Sequence, residues 1–142
     1  MIQEQRKWGL LALVFLSAGV LAWKLISVEN TPPKPDGANM VAVTLPSLSG
    51  EAKIGQVRFQ EKCAVCHGKK ADGKKGLGPP LVHKIYEPSH HGDGAFHLAA
   101  LYGVRAHHWP FGDMPPIENV TEQDVAEIVV FVRALQRANG IN

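Results

Sequence analysis

The chain has 142 residues, a formal net charge of +2, 45% hydrophobic and 20% charged residues, and two cysteines. That length suits one domain. The small net charge, without a surface of interleaved aromatic and basic residues, argues against a nucleic-acid binder.

The first element is an apolar run, "WGLLALVFLSAGVLAWKLISV", from Trp8 to Val28. About 21 helical residues span about 30 Å, enough for one membrane crossing. Lys24 lies within a turn of its end, where the ammonium can snorkel to the headgroups. Arg6 and Lys7 precede the run, so the positive-inside rule holds the N-terminus in the cytoplasm and sends the rest across. A cleaved signal peptide is the rival reading, with Val20-Leu21-Ala22 as its cleavage site. We favour a retained anchor over residues 1–28.

Residues 29–50, "ENTPPKPDGANMVAVTLPSLSG", hold four prolines and few bulky apolar groups, the composition of a partly extended tether. Residues 51–142 then form a domain small enough that one core is marginal without reinforcement, which a large buried cofactor would supply.

Within that domain we expect a helix from Glu51 to about Lys62, a second over about Gly94 to Val104 capped by Asp93, and a third in "TEQDVAEIVVFVRALQRANG". In the third, Val125, Ile128, Val129, Val132 and Leu135 recur at helical spacing. Thr121 is its N-cap, Arg133 and Arg137 suit its last turn, and Asn139-Gly140 ends it. Two long loops rich in Gly, Pro and His separate these helices and show no strand pattern, so the fold class is all-α. Loops of that length in a small domain usually wrap around something.

The chemistry concentrates in "CAVCHG", Cys63 to Gly68. A redox dithiol would need alternating strands and helices around Cys63, and none is indicated. A zinc site could draw on His83, His90, His91, His97, His107 and His108, but leaves His67 unexplained. Covalent c-type haem accounts for the whole grouping: each thiol adds to one vinyl side of the porphyrin, and His67 lies beneath the iron as proximal ligand. Met114, in "FGDMPP", is the candidate sixth ligand, with Pro115 and Pro116 stiffening its loop. Two alternatives stay open there: Met114 as an apolar gap-filler, or a histidine on the iron in its place.

Over residues 50–140 the sequence resembles the class I cytochrome c family. Gly55 and Phe59 in "IGQVRFQEKCAVCHG" look like that family's N-terminal helix, Phe131 in "IVVFVRALQ" like the aromatic of its C-terminal helix, and "GLGPPL" like its Gly-Pro-x-Leu segment. The resemblance implies a fold of three or more helices wrapped around one haem c. It implies a tight crossing of the terminal helices at the glycine, and a Pro79 carbonyl that accepts the His67 N–H. It assigns Cys63 and Cys66 to haem attachment and His67 and Met114 to the iron.

With both axial positions filled, the expected activity is one-electron transfer rather than catalysis. The alternative is a haem-based ligand sensor or small haem enzyme with a labile sixth ligand. A small bacterial membrane-anchored monohaem cytochrome c would sit on the inner membrane with its haem domain in the periplasm, passing electrons between respiratory-chain partners.

Charge is unevenly placed. Between residues 50 and 84, Lys53, Arg58, Lys62, Lys69, Lys70, Lys74, Lys75 and Lys84 face Glu51, Glu61 and Asp72; beyond residue 84 acids outnumber bases. The lysine-rich face is a candidate dock for an acidic redox partner. Arg105 and Trp109 are candidate contacts to the haem propionates. His90, His91, His107 and His108 are candidate ligands of a second metal such as copper or zinc.

Overall fold

The computed structural model describes residues 37–142. The predicted membrane-crossing helix and the start of the tether lie outside the described residues. Among the described residues no helix is long and apolar enough to cross a membrane.

Four α-helices form the domain: α1 (Gly50–Lys62), α2 (Ala64–His67), α3 (Asp93–Tyr102) and α4 (Glu122–Ala138), with a 3-10 turn at Lys84–Tyr86. No named strand occurs among the described residues; the extended backbone is confined to isolated bridges. The helical periodicity therefore translated into the expected helices, with end shifts of a residue or two.

Helices α1 and α4 pack face to face, and the position of their crossing follows from one missing side chain. A Cβ on Gly55 would lie 1.8 Å from the Glu127 carbonyl oxygen and 3.1 Å from the Phe131 Cβ. Only glycine lets the two backbones approach this closely. One turn on from Gly55, Phe59 meets Phe131 with ring centroids 5.3 Å apart, and both side chains are fully buried. A tilted aromatic pair at this distance contributes about 0.5–1.5 kcal/mol beyond the burial of its area. Val132 and Leu135 complete the apolar face of α4.

The start of α4 is built as the sequence indicates. The Thr121 hydroxyl accepts the Asp124 N–H at 3.1 Å, and the Asp124 carboxylate accepts the Thr121 N–H at 3.0 Å, closing a capping box. The Arg58 guanidinium lies 3.1 Å from Asp124, joining α1 to the same cap.

Three expectations change. Asp93 does not cap α3; Gly92 takes that position, and the Asp93 carboxylate instead accepts Arg133 Nε at 2.8 Å. Arg133 does not sit on the exposed last turn of α4 but is buried, because its side chain is the bracket for the 86–93 segment. Part of the stretch read as tether joins the core: Val43 is buried against the α1/α4 cluster, with Val41 and Leu48 packed beside it. The Met40 and Val41 N–H groups bond the Asp72 carbonyl, and Thr44 exchanges two hydrogen bonds with the Asn139 side chain.

Candidate functional site

Helix α1 ends at Cys63, whose N–H donates to the Phe59 carbonyl at 2.8 Å. The Cys63 carbonyl then accepts the Cys66 and His67 N–H groups at 3.2 and 3.0 Å, winding the motif into the single turn of α2. Both thiols are free; Cys63 is buried and Cys66 half-buried. Burial pushes the Cys63 thiol up to about 11, against the pull of Lys62. The zinc reading of these cysteines gains no support, since the metal-ligand group found among the described residues contains neither.

His67 is buried, and its Nδ1–H donates to the Pro79 carbonyl at 2.9 Å. That bond selects the tautomer whose Nε2 lone pair is free, the form an iron ligand needs. Burial lowers the His67 pKa, and the Pro79 bond opposes that only in part, so the ring is held neutral. The carbonyl is in place because residues 74–78 form a tight turn, with the Lys74 N–H on the Gly78 carbonyl at 2.9 Å. Gly78 packs directly on Cys66, where a Cβ would meet its carbonyl oxygen at 2.8 Å.

The facing wall comes from the chain between α3 and α4. Val104 and Met114 exchange two backbone hydrogen bonds, each of 2.9 Å, which close residues 105–113 into a loop. The residue before this bridge is Gly103 at φ +79°, where a Cβ would also lie 2.6 Å from the Met114 carbonyl. A side chain there would be both strained and obstructed. Between these segments lies a cavity of about 550 Å³ whose lining includes Cys63, His67, Pro79 and Met114. Phe96 and Ile128 are among its apolar walls.

Arg105 and Trp109 both line this cavity. The Trp109 Nε1–H is buried without a hydrogen-bond partner. It offsets a little of the rise that burial causes in the Tyr86 phenol, although the approach falls short of hydrogen-bonding geometry. An orphaned donor in a cavity wall suits a carboxylate of a bound group. A covalent haem fits the residues present: two thiols on one turn, a neutral imidazole with its Nε2 free, a thioether residue in the cavity lining, apolar walls, and an unused Trp109 N–H in the same lining as Arg105.

The remaining histidines divide. His83 is structural: its Nδ1 accepts the Ile85 N–H at 3.2 Å, and its ring meets Trp109 edge-on at 5.3 Å. His97 is a half-buried residue of α3 that does not line the cavity. His91, His107 and His108 line the cavity and His90 joins them, with the His107 and His108 rings 4.3 Å apart and His90 and His91 4.7 Å apart. Desolvation, and then the neighbouring imidazoles, hold the His108 pKa below its ordinary value.

Arg133 and Gln136 support the cavity's surroundings in a way the sequence reading missed. Arg133 reaches the Asp93 carboxylate and the Tyr86 and His91 carbonyls, and its guanidinium carbon stands 4.9 Å over the Phe96 ring. Gln136 donates to the Leu81 and Tyr86 carbonyls at 2.8 and 2.9 Å. The signal was available: positions 129, 133 and 136 fall on one face of α4, so two long polar side chains interrupt an apolar stripe.

Neither the curated proteins nor the solved structures contain a match to this chain. The family model described as Cytochrome c matches residues 52–136, a span that includes Cys63, Cys66, His67, Pro79 and Met114. With more than half of the chain covered and the cavity built as above, the chain belongs to the cytochrome c family, the haem-based electron carriers that hold haem c covalently.

Proposed function

We propose that this protein is a membrane-anchored monohaem cytochrome c that carries single electrons between respiratory-chain partners on the outer side of a bacterial inner membrane. The observation that carries the reading is that both candidate ligands line one cavity: His67, oriented by Pro79, and Met114, held by its backbone pairing to Val104. Cys63 and Cys66 would be the attachment thiols, and His67 and Met114 would bind the iron.

Haem supplies a one-electron iron couple, and this chain's residues set the conditions for it. The Pro79 carbonyl holds the His67 ring in one tautomer and raises its basicity as a ligand. Met114 would offer the iron a soft thioether, which would favour the ferrous state and leave no open position for a substrate. Phe59, Phe96, Val125 and Ile128 keep water from the cavity interior. Arg105 and the Trp109 N–H would hold the propionates.

Two further features support the partner and location. Val65 is 71% exposed and Leu77 44%, and Lys74 Nζ reaches the Val65 carbonyl at 3.0 Å. An apolar spot beside the attachment cysteines and edged by lysine suits brief docking to an acidic redox protein. The apolar run from Trp8 to Val28, with Arg6 and Lys7 before it, supports the anchor and its orientation.

The test is the visible spectrum of the ferrous protein before and after CO. A closed His67/Met114 carrier keeps its six-coordinate spectrum, and Met114→Ala binds CO readily. A wild-type protein that binds CO as readily as that variant would overturn the carrier reading in favour of a sensor or small haem enzyme. Separately, protein released from membranes by carbonate washing would remove the anchor and leave the carrier untouched.

A further inference from the structure

The four clustered histidines are unused by the electron-carrier reading. They come from two segments 16 or more residues apart, His90-His91 after the 3-10 turn and His107-His108 in the loop that leads to Met114. Tertiary folding alone brings them together. One nitrogen each from His90, His91 and His108 lies within 4.8 Å of the others. The fourth ring, His107, stacks on His91 at 6.0 Å and lies 4.3 Å from His108.

Two of these rings are oriented as metal ligands usually are. His91 Nδ1–H donates to the Ile85 carbonyl at 2.6 Å, and His107 Nδ1–H to the Arg105 carbonyl at 2.8 Å. Each bond commits one nitrogen and leaves Nε2 as a free lone pair. The same device, a backbone carbonyl on Nδ1, orients His67 in the haem cavity. The His91 segment is itself held from below, because the buried Arg133 donates to the His91 carbonyl at 2.5 Å and to the Tyr86 carbonyl at 2.7 Å. His90 and His108 are exposed, so an ion can reach the cluster from solvent.

We propose that His90, His91 and His108 form a second metal site, distinct from the haem iron, that takes a divalent ion of imidazole preference, Zn²⁺ or Cu²⁺. Three imidazole nitrogens without a thiolate or carboxylate suit these ions and not Ca²⁺ or Mg²⁺. His107 or a water completes a four-coordinate shell. His91, His107 and His108 also line the haem cavity, so the ion would join the two loops that close over it. This assignment does not depend on what binds the iron at its sixth position.

Calorimetric titration of the full-length holoprotein, first stripped with chelator, tests it, using Zn²⁺ and Cu²⁺ in separate runs. The expected result is saturation at one ion per haem for at least one of the two. His90→Ala and His108→Ala, each at an exposed position, should weaken that binding by more than about tenfold, while His97→Ala leaves it unchanged. An unaltered ferrous haem spectrum in each variant shows that the cavity survives. The proposal is overturned if neither ion saturates, or if His90→Ala and His108→Ala bind as the wild type does.

Discussion

The two walls of the haem cavity are held by different forces. The wall made by α1, α2 and α4 rests on burial: Gly55 lets the helices touch, and Phe59, Phe131, Val132 and Leu135 exclude water completely or almost so. The wall made by residues 84–117 has few fully buried side chains and depends on polar ties. Arg133 and Gln136 reach from α4 to backbone carbonyls of the 81–91 segment, and the Val104–Met114 pair closes the loop beyond α3. A scaffold built by apolar area tolerates little change in shape, whereas a wall hung on a few charged hydrogen bonds keeps its position through those few groups.

The largest test removes what joins the walls. Cys63→Ser with Cys66→Ser should abolish covalent attachment, read as loss of haem staining on a denaturing gel; retained staining would refute the attachment assignment. Within the packed wall, Phe131→Ala should cost about 3–5 kcal/mol in the denaturant midpoint of the holoprotein. For the tied wall, Arg133→Met should cost less, about 1.5–3 kcal/mol, because Asp93 is largely exposed and water recovers part of its loss. The contrast sharpens if CO binding rises in Arg133→Met and not in Phe131→Ala. It fails if the two variants lose equal stability with equal ligand access.

The smallest effect belongs to the α4 cap. Thr121→Ala should cost about 1 kcal/mol without altering the haem spectrum. Thr121 N–H and hydroxyl bonds, aided by Arg58, hold the Asp124 carboxyl below its ordinary range. A depressed folded-state pKa contributes stability that is present above the unfolded value and is lost as pH falls through the folded one. Acid unfolding of Thr121→Ala should therefore show a weaker loss of stability in that low-pH window; an unchanged acid limb would mean that Asp124 is not tuned by the cap.

Local patterns made much of this legible. Apolar residues at helical spacing marked α4, and the Thr121 cap and the Asn139-Gly140 end followed from residues beside them. Cys63, Cys66 and His67 carried the haem reading because attachment needs them adjacent on one turn. The roles of Arg133, Gln136 and Asp93 were misread or missed, since helix-end charge rules describe an exposed helix and these side chains answer partners 40 or more positions away. Residues 41–48 were read as tether because composition reports how much there is to bury, and not that a groove on α1 and α4 was waiting for Val43.

By itself, then, the sequence determined the helices, the haem attachment motif and both candidate iron ligands, because each depends on neighbours within a turn or on a residue type with one dominant use. Tertiary structure alone decided that Arg133 and Gln136 tie α4 to the 81–91 segment, that Val43 joins the core, and that His90, His91 and His108 meet. Those are distances between chain segments far apart in sequence, and only packing the helices around a common cavity sets them.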